Sequence, residues 1–203
     1  MREVFEFVFP GLMLMWVCFI ANGVFVDIFE EYGANTISRL ISSGVTLWQV
    51  LLSKMLRCGV VCWMCELLLI VFTALVFGVG WRNPLMLFVV LTCFNVFLMG
   101  LLSLIYGYAR STDMANAITV FVFLIAAVLG GSFIPFQELP KGLQAIGQWT
   151  MIRMANAGIE SLFQSRPLWE SLRPSFYLAV AGGVLAAVGT TVLRRRFESG
   201  RVA

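Results

Sequence analysis

The chain has 203 residues, of which 60% are hydrophobic and 12% charged, with a mean hydropathy of +0.91. Those proportions exclude an ordinary soluble globular domain and make the bilayer the solvent. The formal charge of +3 is small, and apart from Arg194, Arg195 and Arg196 the basic residues are scattered, which excludes the concentrated patch of a nucleic-acid-binding protein.

A spanning helix takes about 20 apolar residues, and five such runs follow one another along the chain. The first covers about Val8 to Val26, interrupted by Pro10 and Asn22. It is long, lacks a basic leader and has no small-residue cleavage pattern, so it reads as a span and not as a removable signal. From Asp27 to Thr46 the chain turns polar. Within that stretch Ile37, Leu40 and Ile41 recur at helical spacing with Ser38, Arg39 and Ser42 elsewhere on the wheel, which predicts a short amphipathic helix at about 35–43. Gly44 suits the left-handed end of that helix, and Thr46-Leu47-Trp48-Gln49 has the form of a capping box that starts the next one.

The second span lies within Leu51 to Val79 and ends at Gly78-Val79-Gly80. Asn83-Pro84 then supplies an N-cap and a first-turn proline for the third, about Leu85 to Tyr106. A tight loop, Arg110 to Asp113, leads to the fourth span at about Ala115 to Leu129, with Asp113 or Ser111 as its cap. After Gly130-Gly131, Pro135 and Pro140 bracket a stretch too interrupted to cross, followed by moderately apolar segments at Leu143 to Trp149 and Ile152 to Phe163. The region 135–165 is therefore expected to be re-entrant, its backbone satisfied by packing against the bundle. A last span, about Phe176 to Leu193, follows Arg173-Pro174 and stops at the arginine cluster. Ala179, Gly183 and Ala187 on it, and likewise Gly182, Ala186 and Thr190, form small faces that let helices approach closely. The fold class expected is an all-α integral membrane protein of one domain, with about five spans.

Lysine and arginine are retained on the cytoplasmic side. One face holds Arg39, Lys54, Arg57, Arg110, Arg194, Arg195, Arg196 and Arg201, the other Arg2, Arg82, Lys141, Arg153, Arg166 and Arg173. The first is expected to be cytoplasmic, with the C-terminus. An odd number of spans then puts the N-terminus outside.

Three groups of residues invite a chemical reading. Glu66 falls near the middle of the second span, where a carboxylate costs on the order of 3 kcal/mol. It must face protein or water, as a substrate contact or an interhelical hydrogen-bond partner. Cys58, Cys62 and Cys65 share a helical face, but they lie on an apolar helix, and the chain has no histidine, so small apolar packing explains them better than metal ligation. Phe94, Phe97, Phe121 and Phe123 either line an apolar path or meet lipid. For an enzyme the chain lacks a Gly-x-x-x-x-Gly-Lys-Ser/Thr phosphate loop, a histidine base and paired intramembrane carboxylates. No cofactor or metal is expected in this chain.

The order of span, amphipathic helix, three spans, interrupted segment, last span and basic tail resembles the ABC type-2 exporter permeases. Phe9-Pro10-Gly11 looks like the family's Pro-Gly at the corresponding helix, and Glu30-Glu31-Tyr32-Gly33 resembles its acidic-Gly segment. Arg39-Leu40-Ile41-Ser42-Ser43-Gly44-Val45, running into Trp48 to Lys54, is similar to its coupling segment, with Gly44 where proline is common. Gly130-Gly131-Ser132-Phe133-Ile134-Pro135, with Leu139-Pro140 and Leu143, resembles the signature at the outer end of the family's fifth helix. A first helix, and often an extracellular domain, precede the Pro-Gly helix in the family and have no counterpart here, so the resemblance implies a permease lacking its first helix.

That resemblance implies a homodimer or a pair with a paralogous half, docked on a separate ATP-binding subunit that carries ATP and Mg. Glu30, Glu31, Arg39, Leu40 and Ser42 become the candidate coupling residues. Glu66, Phe94, Phe97 and Phe121 become the candidate substrate path, and Gly130, Gly131, Pro135 and Pro140 the re-entrant signature. Two other classes stay open: a secondary transporter or channel, for which only Glu66 qualifies as an intramembrane ionisable group, and a truncated permease acting as a membrane scaffold.

Overall fold

In the computed structural model, residues 2–33, 44–78, 80–81, 83–163 and 167–198 are described. They form α1 (Arg2–Gly33), α2 (Leu47–Phe77), α3 (Pro84–Tyr108), α4 (Thr112–Leu129), a 3-10 turn at Phe136–Glu138, α5 (Lys141–Gly147), α6 (Met151–Phe163) and α7 (Leu168–Glu198). Five of these, α1, α2, α3, α4 and α7, are long and apolar enough to cross a membrane.

The ends of these helices follow local chemistry. Thr46 accepts from the Gln49 amide while its own amide donates to the Gln49 side chain, so the capping box forms as expected. Gly78 ends α2 in the left-handed conformation. Ser111, and not Asp113, caps α4, accepting from the Met114 amide. Pro84 takes the first turn of α3, but Asn83 makes no side-chain cap; it is instead the one non-glycine residue at positive φ among those described.

Two helices run well past the apolar windows. Acidic residues after Val26 do not stop α1, which continues to Gly33, because charge bars a segment from hydrocarbon without barring it from helix. Pro174 does not precede the last helix but lies inside it. At about 1.5 Å per residue, the 31 residues of α2 and of α7 exceed a hydrocarbon core of about 30 Å, so both must tilt or emerge from it.

Helix α1 is the centre of the bundle: 61% of its spanning window is buried, against 17% for α2. Met13, Leu14, Val17, Cys18, Ala21 and Phe25 are enclosed among Leu91, Phe94, Leu98 and Phe123. The most extensive packing is between α3 and α7. A side chain at Gly100 would strike the Gly182 carbonyl oxygen at 2.6 Å and the Ala186 nitrogen at 2.8 Å. In lipid, where apolar burial drives no helix association, this close approach is what holds the pair. Of the two small faces on α7, the one with Gly182, Ala186 and Thr190 is turned inward; Gly183 and Ala187 are exposed, with nothing near a side chain added at Gly183.

Candidate functional site

At one end of the bundle the two segments most suggestive in the sequence meet in space. Helix α4 ends at Gly130, and Gly131, at φ 83°, turns the chain so that Ser132 faces α1. The Ser132 hydroxyl donates to the Gly11 carbonyl at 3.0 Å across 121 positions of sequence. Asn156 of α6 closes the knot by donating to the Gly130 carbonyl at 3.4 Å. A side chain at Gly11 would meet Ser132 Cα at 2.8 Å and Asn156 Nδ2 at 2.9 Å, so the Pro-Gly and Gly-Gly-Ser motifs are two halves of one contact.

The residues that follow build a cap over this end. Pro135 precedes the 3-10 turn, and Pro140 precedes α5. The Arg153 guanidinium of α6 lies 4.3 Å from the Phe136 ring centroid and pairs with Glu160 at 2.7 Å. Trp81, in the α2–α3 loop, donates to Thr73 at 3.1 Å and stacks beside Phe163 at 5.2 Å. The described part of this region, 135–163, is thus a helical assembly packed on α3, α4 and α7, with short helices at Phe136–Glu138, Lys141–Gly147 and Met151–Phe163.

Inside the bundle, Glu66 is fully buried. Its Oε2 accepts from Asn95 Nδ2 at 3.0 Å, which joins α2 to α3. Glu66 Oε1 and Asn95 Oδ1 have no hydrogen-bond partner among the described residues. A second polar link joins three spans: Tyr106 of α3 donates to Asn22 Oδ1 at 2.9 Å, and Asn22 Nδ2 donates to Asn116 of α4 at 2.6 Å. Both fit the rule that polar side chains in a span find interhelical partners.

The four aromatics do not line one passage. Phe94 and Phe123 are closed off in the core, Phe97 is half-buried against Gly182, and Phe121 is exposed.

At the opposite end lie the described members of the candidate coupling set. Glu30 is exposed near the end of α1, and Asp27 pairs with Arg57 of α2 at 3.8 Å. The backbone of Glu31 belongs to α1. Arg39, Leu40 and Ser42, with the whole expected helix at 35–43, lie outside the described residues.

Sequence reasoning missed Asn95, Tyr106, Asn116, Asn156 and Ser132 as partners. A search for polar residues in the other spans was the available signal for Asn95, once Glu66 demanded one.

The sequence matches the family described as ABC-2 family transporter protein across residues 1–190. It is 22% identical over 181 residues to the linearmycin resistance permease protein LnrN of Bacillus subtilis (strain 168), a match covering 89% of this chain and 46% of that one. The chain therefore spans about half the length of the curated relative it matches. No solved structure matches it.

Proposed function

Because the chain belongs to the ABC-2 transporter family, we propose that it is the membrane-spanning permease subunit of an ATP-driven exporter, with hydrolysis in a separate ATP-binding subunit that holds ATP and Mg. The family match over residues 1–190 is the observation that carries this reading. The chain works as a homodimer or beside a paralogous half. The end of α1 and the segment that links it to α2 lie on the cytoplasmic side and receive the ATPase's movement through Glu30, Glu31, Arg39, Leu40 and Ser42. The cap of α5 and α6 stands as a re-entrant element at the far side.

The continuity of α1 supports this reading. Helix α1 runs from the end that bears Glu30 through the most buried part of the core to Gly11, where Ser132 and Asn156 seize it. On this reading a displacement applied at the cytoplasmic end is carried to the knot at the other end by one helix. The relative's name speaks of a resistance permease, which supports a transport role; the apolar character of the spans favours an apolar or amphipathic compound as cargo.

The test is co-expression with a partner ATPase and reconstitution. Arg39→Glu is expected to insert normally and bind the partner, yet to lose transport while ATP hydrolysis continues. Undiminished transport by that variant would remove the coupling assignment. Failure of any ATP-binding subunit to co-purify would remove the exporter reading itself.

A further inference from the structure

Two hollows meet at the first turns of α7. One lies between α7 and α3, has a volume of about 490 Å³, and is lined by Val89, Cys93, Leu172, Phe176 and Ala179. The other, of about 430 Å³, lies between α7 and the α5–α6 region and bears Gln148 and Arg153 beside Phe136 and Trp149. Arg173 and Tyr177 line both. One guanidinium thus stands on the ridge between an apolar groove and a polar-edged hollow.

Among the described side chains its charge has no carboxylate partner. Arg153 is neutralised by Glu160 at 2.7 Å, whereas Arg173 is exposed and makes no ion pair among the described residues. No carboxylate lines either hollow. Arg173 is also the second residue of the spanning window Leu172–Leu193, the level at which hydrocarbon gives way to headgroups. Trp169 and Tyr177, both exposed, flank it as interfacial aromatics do. A guanidinium at that depth offers a planar fork of donors that can meet two oxygens of a phosphate.

We propose that this place binds an anionic phospholipid: its phosphate on Arg173, one acyl chain along the groove between α3 and α7, and its headgroup in the hollow beside Gln148 and Arg153. The apolar groove selects a membrane lipid over a soluble phosphate, which would leave it unfilled. The site is distinct from the coupling end and does not depend on the export reading.

The full chain, purified in detergent and exchanged into phosphatidylglycerol or phosphatidylcholine, is examined by native mass spectrometry. Phosphatidylglycerol is expected to stay bound in preference to phosphatidylcholine, and Arg173→Gln to lower its retention roughly tenfold, the scale of a lost charge-assisted hydrogen bond. Ala179→Phe, which fills the groove and leaves the guanidinium in place, should lower it too. Gly183→Phe, on the open face of the same helix, should not. Equal retention of both lipids, or wild-type retention in Arg173→Gln, would reduce the site to ordinary lipid contact and overturn the proposal. Should Arg173→Gln fail to fold, unchanged retention in Ala179→Phe overturns it alone. Loss of both lipids to a transported amphipathic anion would reassign the site to cargo.

Discussion

A carboxyl group inside a span needs a partner, and at Glu66 that partner is the single amide of Asn95. Interhelical hydrogen bonds in membranes are individually modest, about 0.6 kcal/mol on average, so the bond matters less than the orphan its loss would leave. Asn95→Leu strands Glu66 with no donor and is expected to cost roughly 1–3 kcal/mol, measured by denaturant unfolding in micelles. Glu66→Gln should be neutral or stabilising, because its amide supplies the donor that Asn95 Oδ1 now lacks. A large loss in Glu66→Gln would show that the carboxylate, and not a reciprocal amide pair, is what joins α2 to α3. That Glu66 must be buried was legible from its place in an apolar run. Its partner was not, because two helices' relative depth and rotation have no signature in either sequence alone.

Among elements, the α3–α7 pair is where a substitution should tell most. Gly100 meets backbone atoms of Gly182 and Ala186, which cannot yield as a side-chain end would. Gly100→Leu is therefore expected to lose at least about 1–3 kcal/mol, read as a lower midpoint of thermal aggregation. Gly183→Leu, one residue from the inward face, should stay within about 0.5 kcal/mol. Equal effects would mean that the open face of α7 is covered by another chain. At the other end of the fold, Thr46→Ala removes the capping box of α2 and should cost about 1 kcal/mol. Helix starts of this kind were readable because Thr46 and Gln49, or Ser111 and Met114, are only three residues apart. The small faces of α7 were readable as well, although periodicity could not say which of them turns inward. Boundaries were least readable where apolarity and helicity part company: α1 outruns its apolar window at Asp27, and α7 absorbs Pro174. The meeting of Gly11 with Ser132 lay beyond any local rule, since each motif explains the other only once the chain has crossed the membrane four times.

At the scale of the whole molecule, the contacts sort the basic residues by end. Asp27 with Arg57, Asn22 with Tyr106, and Gly107 against Val192 put the later turns of α1, the first turns of α2, the α3–α4 loop beside Arg110, and the end of α7 at one end of the bundle. Lys141, Arg153 and Arg173 belong to the opposite end, with the cap of α5 and α6. This is the partition that the retention of cations in the cytoplasm requires, with the triple arginine Arg194 to Arg196 following Leu193 as its strongest mark. It predicts that a cysteine at Gln137, exposed on the 3-10 turn of the cap, reacts with a membrane-impermeant maleimide on intact cells. A cysteine at Asp113, exposed at the start of α4, should react only after permeabilisation. Both are made in a background whose five native cysteines are replaced. The reverse pattern would turn the molecule over and carry the 34–46 segment outside, where no ATP-binding subunit can reach it. The orientation and the proposed motor therefore stand or fall on the same pair of labels, while the packing of the bundle is indifferent to the outcome.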